Sequence, residues 1–460
     1  MLRQSAGDLV TDAIEDLVRH GLDRHLNRIN VFDVARRSAI PADAVIGGFL
    51  HASRLGLFDM SWNVLCPGCG GVLEKGATLK TLRQSEYHCA LCAAGYEPTL
   101  DEMVEVTFTV SPRVRRIAAH DPDTLPTLEY ARQIFWSSGT DLPEEGLEEL
   151  MQQTMIETLE LPAGEKAILS MTLPEAFVIV FDPVTHSTQF LEVQGEPTRE
   201  RQQLTVVFNE VLAPTGAIRM QPGPVRISFE NQTSRRTLPS VFIANDALHA
   251  MLGRRKPFLT AKRLLSNQTF RNLYRTDTLE VDQRLKITNL TFVFTDLKGS
   301  TALYDRVGDL VAFDLVQAHF RLLLEIVAAQ SGAVVKTIGD AVMATFPTAD
   351  LALAAALRMR EAMRDLNEER GREDLLLNIG LHAGPCLAVM LDERQDYFGQ
   401  TVNIASRVQG LADSSAILAT SSIMDEPGVS DLLRNRGLEP SIRQQKLRGI
   451  EEEMTVYEIG

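Results

Sequence analysis

From Leu290 onward the sequence alternates between strand-like and helix-like texture, and two aspartates fall where strand-like runs end. LTFVFTD is a short apolar run with the character of a buried strand, and it closes on Asp296. A segment rich in Leu, Val and Phe then reads as helix to about residue 330. AVVKTIGDAVMATF reads as a hairpin, because Gly339-Asp340 is a turn signal between two apolar runs. ADLALAAALRMREAMRDLNEE has the periodicity of a long amphipathic helix, LLLNIGLHAG that of a strand, and DYFGQTVNIASRVQGLA leads into another helix. Alternation of this kind predicts an α+β or α/β sandwich with helices packed on one sheet.

A carboxylate at a strand end is ordered by the sheet yet open to its rim. Asp296 and Asp340 could therefore hold hard cations between them, and Mg²⁺ or Mn²⁺ suits oxygen ligands. Leu-Lys-Gly-Ser-Thr follows Asp296. Gly299 permits a tight turn, and Ser300 or Thr301 can cap the next helix. A helix N-terminus with free N–H groups is an anion site fit for a triphosphate. Ordinary capping by an Asp and a Ser/Thr pair is the plain alternative.

FTDLKGST, KTIGDAVMATF and DYFGQTVNIASR resemble the three signature blocks of class III adenylate and guanylate cyclases, in order and over about residues 287–460. The resemblance implies a ferredoxin-like α+β sandwich that converts ATP to 3′,5′-cyclic AMP and pyrophosphate with two Mg²⁺ or Mn²⁺ ions per site. Carried over position by position, Asp296 and Asp340 are the metal ligands. Lys336 and Asp396 fall on the two purine-selecting positions. Lysine can donate to adenine N1 and aspartate can accept from its N6 amino group, whereas guanylate cyclases carry Glu and typically Cys there. Asn403 would orient the ribose, and Arg407, one helical turn on, would stabilise charge at the phosphorus. Arg448, in Lys446-Leu-Arg448-Gly, resembles the triphosphate contact. In the family the metal aspartates come from one protomer and the purine, ribose and transition-state residues from the other. The resemblance therefore implies a homodimer with two shared sites. His382 and Cys386 read as packing residues, and Phe294 and Phe398 as core or sheet-edge aromatics.

Upstream, Cys66-Pro-Gly-Cys69 and Cys89-Ala-Leu-Cys92 carry four of the five cysteines. Two CxxC knuckles at this spacing match a zinc ribbon, and four thiolates leave no open position, which makes a Zn²⁺ there structural. A redox pair or four buried thiols are the alternatives. Residues 1–62 look helical, with Leu9, Ile14, Leu17 and Leu22 at roughly helical spacing, and VFDVARRSAIPADAVIGGFLHASRLGLFDM resembles a winged-helix module. The expected organisation is thus multidomain: a winged-helix-like segment (1–62), a zinc ribbon (63–102), a helical then β-sandwich-like regulatory domain (103–244) with antiparallel strands, a helical linker (245–286) and the cyclase domain (287–460). Within 103–244, residues 115–160 read as helix. The β-rich part shows no catalytic constellation, which leaves an unknown regulatory ligand or protein as its partner.

The hydrophobic share of 45% is enough for each domain to bury a core, and the net charge of −15 repels phosphate backbones and anionic lipid. DNA binding is accordingly disfavoured, although 253–275 is locally basic; a solvated helix face is the plain reading of that stretch. Neither an apolar run of about eighteen residues nor a signal-peptide pattern occurs, so the expected location is cytoplasmic, without a membrane partner. Two other functions stay open: a guanylate cyclase, and an ATP-sensing module coupled to DNA or protein binding.

Overall fold

The computed structural model describes the chain except residues 83, 210–215, 275–278, 280–282, 373–374, 392–393, 413–415 and 451–452, and the side chains of 300–302. It divides into two units: Met1–Ala77, Leu82–Pro98 and Glu102–Leu259 in the first; Thr78–Thr81, Thr99–Asp101 and Thr260–Gly460 in the second.

The first unit begins with helices. Asp8–His20 buries Val10 and Ile14, one turn apart. Ile14 of the expected stripe is thus in the core, whereas Leu9 and Leu22 are exposed and Val10 takes the place next to Ile14. A Cβ on Gly48 would lie 2.2 Å from Val10 Cγ1, so the close crossing of this helix with Ala42–Arg54 depends on a glycine there. Asn30 caps Val31–Ser38 by accepting from Phe32 N–H at 3.0 Å. That helix stops at Ala39, in the left-handed region at φ 54°, ahead of Pro41. The strand Phe58–Leu65 follows, antiparallel to both Val72–Gly76 and Val104–Val110.

A two-stranded antiparallel pair, Tyr87–Cys89 with Ala94–Tyr96, and two further sheets complete this unit among the described residues. One has the order Ile218–Met220, Ser187–Val193, Ala176–Asp182, Ser240–Ile243, Met155–Thr158; the other Gln202–Phe208, Gly223–Asn231, Lys166–Leu173. Val178, Val180 and Leu191 of the first share a core with Val206, Ile227 and Phe229 of the second. Two expectations fail here. Gln202–Phe208 runs parallel to Gly223–Asn231, and Ile218–Met220 parallel to Ser187–Val193. The chain leaves the smaller sheet, adds Ile218–Met220 to the larger one and returns in its original direction, which makes the pairing parallel. Met155–Thr158, expected as helix, is an edge strand antiparallel to Ser240–Ile243. The adjoining run contains the short helices Thr127–Tyr130 and Leu147–Gln152, 3-10 turns at Ala118–His120 and Pro122–Thr124, and a π-turn at Ala131–Phe135.

The second unit is built on a sheet in the order Ala333–Ile338, Ala341–Phe346, Leu285–Leu297, Leu377–Leu391, Ile417–Thr420, Glu453–Ile459, Ser441–Lys446, with Arg394–Phe398 folded back on Leu377–Leu391. All pairings are antiparallel except Leu377–Leu391 with Ile417–Thr420. Helices Asp309–Ala329 and Ala349–Glu369 bury Leu315, Leu323, Leu353 and Met359 with Val293, Val342 and Ile379 of the sheet. Gln400–Gln409 packs Ile404 and Val408 into a separate small core with Leu418, Leu447 and Val456. This is the α+β arrangement that the strand–helix alternation predicts. Residues 245–259 belong to the first unit, and the helices Ala261–Leu265 and Gln268–Leu273 to the second.

Candidate functional site

Leu285–Leu297 is buried through its middle and emerges at Asp296, which is half-buried and in register with Asn378. Three residues on, Gly299 at φ 68° turns the chain into the helix Ser300–Val307. The Ser300 and Thr301 side chains lie outside the described residues. Asp340 sits in the hairpin turn beside Gly339, itself at φ 64°. The two carboxylates sense each other: burial, then the charge of Asp340, pushes the Asp296 carboxyl above its ordinary range. Asp340 Oδ2 is buried and has no hydrogen-bond partner among the described residues. A buried carboxylate oxygen without a donor, facing a second carboxylate, is costly until a cation arrives. The donor set, all oxygen, suits Mg²⁺ or Mn²⁺.

His319 went unmarked in the sequence. It is fully buried on Asp309–Ala329, neither ring nitrogen has a partner among the described residues, and burial pushes it down to about 4 against the opposing pull of Asp340. A histidine on the apolar stripe Ala312, Leu315, Val316, Leu323 was the available signal.

Lys336 and Asp396, sixty residues apart, come together: Lys336 Nζ donates to Asp396 Oδ2 at 2.5 Å. Asp396 is buried, Lys336 is exposed, and Tyr397 N–H donates to Asp396 Oδ1 at 2.8 Å. The two strands are clamped from outside the motifs. Arg271 Nη2 donates to Gln395 O at 2.8 Å and Val335 O at 3.3 Å, the residues just before the pair. Gln268 Oε1 accepts from Val334 N–H at 2.8 Å. Sequence reading missed Arg271, because its partners are main-chain carbonyls that leave no trace in side-chain pattern. Its neighbours are likewise engaged: Lys262 pairs with Asp101 at 3.1 Å, so this part of 253–275 is not a freely solvated basic face.

Asn403 is exposed and Arg407 half-buried on Gln400–Gln409. That helix rests on the central strand at Gly380, where a Cβ would lie 2.2 Å from Gln409 N. Thr401 Oγ1 also donates to Pro385 O at 2.5 Å. Arg448 is exposed in the turn before Glu453–Ile459, and a Cβ on the adjacent Gly449 would lie 3.4 Å from Arg407 Nη2, so both cations reach one turn. Elsewhere, His382 Nδ1 meets Thr420 Oγ1 at 2.7 Å, and burial pushes Cys386 up to about 12, which suits packing roles. Phe294 is buried and Phe398 exposed.

In the first unit Cys66, Cys69, Cys89 and Cys92 place their sulfurs within 4.8 Å of one another. Cys66–Cys92 is 3.6 Å and Cys69–Cys89 is 3.7 Å. Tetrahedral Zn–S bonds of about 2.3 Å require S···S near 3.8 Å, so the cluster fits the ion. Hydrogen bonds from the other three thiols push Cys66 down, while the same crowding pushes Cys69 up.

Comparison with known proteins divides the chain in a similar place. Residues 1–272 match a family of unknown function, DUF5939, and residues 283–457 match the adenylate and guanylate cyclase catalytic domain. An adenylate cyclase of Anabaena cylindrica is 28% identical over 185 residues, covering 37% of this chain and 36% of that protein. One of Streptomyces coelicolor is 34% identical over 146 residues, covering 32% and 35%. The chain thus spans about a third of the length of these two relatives. A solved Trypanosoma brucei adenylate cyclase structure in its monomeric state aligns at 26% identity with a TM-score of 0.32, covering 37% of this chain and 89% of that one. No helix among the described residues is long and apolar enough to cross a membrane. The chain belongs to the DUF5939 family through its N-terminal part and ends in a class III adenylate/guanylate cyclase catalytic domain.

Proposed function

We infer that the C-terminal domain is an adenylate cyclase, forming 3′,5′-cyclic AMP and pyrophosphate from ATP by in-line attack of the ribose 3′-hydroxyl on the α-phosphate. The observation that carries this reading is the Lys336–Asp396 pair, with a donor and an acceptor side by side. Adenine presents an acceptor at N1 and a donor at N6, and guanine the reverse. Asp296 and Asp340 would hold two divalent cations; these supply activation of the hydroxyl and neutralisation of phosphate charge. Asn403 orients the ribose, Arg407 faces the charge building at phosphorus, and Arg448, beside it, takes the triphosphate with the N-terminus of Ser300–Val307. Exposed Leu310, Val311, Phe313 and Phe398 are apolar groups that a second copy would cover, which supports a homodimer with sites shared between protomers. The four cysteines hold a structural Zn²⁺, and the N-terminal half regulates the enzyme.

The test is incubation of purified full-length protein with ATP or GTP and Mn²⁺. Cyclic AMP should form, with ATP preferred, and Lys336→Glu with Asp396→Cys should move the preference toward GTP. Wild type that prefers GTP, or makes no cyclic nucleotide at any protein concentration, overturns the reading.

A further inference from the structure

Buried polar atoms without partners gather in one place in the first unit. His25 Nε2, Arg28 Nε, Arg132 Nε, Gln133 Oε1, Trp136 Nε1 and Ser138 Oγ are all buried with no hydrogen-bond partner among the described residues. All six residues line one cavity of about 170 Å³. Arg28 and Trp136 are each 7% exposed and Gln133 8%, so these are core-level side chains. Folded proteins rarely leave such groups unsatisfied, and a cluster of them marks a site built for something else.

The guanidinium groups are held in place. Arg28 Nη1 donates to Ile134 O at 2.9 Å and Nη2 to Glu105 Oε2 at 3.1 Å, which leaves Nε as the one guanidinium nitrogen without a partner among the described residues. Arg132 Nη2 reaches Pro143 O at 3.3 Å. Arg28 also has a left-handed backbone at φ 48°, pinned where its N–H donates to Thr109 Oγ1 at 3.1 Å. Arg132 and Gln133 sit on the π-turn, which aims successive side chains differently from an α-helix. Charge leans the same way: Arg24, Arg28, Arg37, Arg132 and Lys256 line the cavity with Asp33 and Glu144, and Arg28 and Arg132 also pair with Glu105 and Glu129, so five cations face four carboxylates in a chain whose net charge is −15. Asp33 and Glu144 are themselves paired, with Lys256 and Arg37.

We propose that this cavity is a binding site for a small organic oxyanion, carboxylate or phosphate, that also carries a hydroxyl or amino donor. The N–H groups of Arg28, Arg132 and Trp136 and the Ser138 hydroxyl take the anionic oxygens, Gln133 Oε1 takes the ligand's donor, and Leu17, Val34 and Leu142 form the apolar wall. The site uses residues of the DUF5939 region alone and does not depend on the cyclase reading.

Isothermal titration calorimetry of the full-length chain with glycerol 3-phosphate, citrate and inorganic phosphate tests it. Glycerol 3-phosphate or citrate should bind saturably at one site per chain and more tightly than inorganic phosphate; which of the two binds identifies the anionic group. Trp136→Phe keeps an aromatic ring and removes the N–H, and Ser138→Ala removes one hydroxyl; each should weaken that binding about tenfold. Circular dichroism matching wild type shows that the fold is kept. No saturable binding by either organic anion up to millimolar concentration overturns the proposal. So does binding that both variants leave unchanged.

Discussion

Arg271→Ala is the most informative single change, because it touches neither substrate nor metal ligands yet acts on both strands that carry the Lys336–Asp396 pair. The 2.8 Å bond to Gln395 O is a charged hydrogen bond of about 2 kcal/mol, and the 3.3 Å bond to Val335 O adds about 1 kcal/mol or less. Both strands keep their ladder partners, Ala341–Phe346 and Leu377–Leu391, so only part of that energy reaches the side-chain pair. If about 1 kcal/mol of it served to hold donor and acceptor in register for the base, the ratio of kcat/KM for ATP over GTP should fall roughly fivefold. The full loss, about 3 kcal/mol, should lower the melting temperature of the second unit by about 6–12 °C. Arg271→Lys, with a compact ammonium in place of the fork, should recover part of the ratio. The assay is steady-state cyclisation of both nucleotides at a temperature well below the transition. Equal proportional losses for ATP and GTP would refute the reasoning, because a merely structural Arg271 lowers the amount of working enzyme without changing its selectivity.

Asp340→Asn should cut kcat by about a thousandfold or more while far-UV circular dichroism stays unchanged. An equal mixture of Asp296→Ala and Asn403→Ala chains should recover up to about a quarter of wild-type activity, since half of the dimers then hold one complete site; no recovery would contradict shared sites. Metal analysis should find one zinc per chain. Cys89→Ser should lose it and open residues 66–96 to protease, and a zinc-free native protein whose four thiols all react freely would remove the metal from the picture. His382 is held near 4 by burial, below the ordinary imidazole value of 6.5. A depressed histidine contributes stability that is present above 6.5 and is lost as pH falls toward 4, by up to about 3 kcal/mol. His382→Gln should therefore flatten the pH dependence of urea unfolding between those values, and an unchanged slope would show that other groups set it.

Sequence pattern read the second unit well where a local signal decides the structure. Gly339-Asp340 between two apolar runs can hardly be anything but a turn, and Ala349–Glu369 is long and periodic enough to form its helix with little help. Where tertiary pairing decides, pattern failed. MIET continues a helix-forming run, yet becomes a strand because Ser240–Ile243 offers an edge. Of the stripe Leu9, Ile14, Leu17 and Leu22, Ile14 is buried as expected, whereas Leu9 and Leu22 are exposed and Val10 joins Ile14 against Ala42–Arg54. Arg271 and the oxyanion cavity share one reason for being invisible. Each is assembled from residues far apart in sequence, and the partners that give them meaning are main-chain carbonyls or other buried donors.

The basic residues also weigh on the winged-helix resemblance. A helix that reads a major groove must present an exposed face with cations near phosphate. Ala42–Arg54, the second helix of that segment, buries Val45, Ile46, Gly48, Phe49, Leu50 and Ala52, and its basic groups are His51 and Arg54 in the last turn. The basic stretch near 253–275 is largely occupied: Arg255 donates to Gly68 O at 2.8 Å, Lys256 to Asp33 at 2.8 Å, Lys262 to Asp101, and Arg271 to two carbonyls. Five basic residues of the first unit line a recess of about 170 Å³, a size for a small anion and not for a phosphodiester backbone. On this distribution of charge the helical segment serves the fold, and the ligand that the proposed site would take is a small dissolved anion.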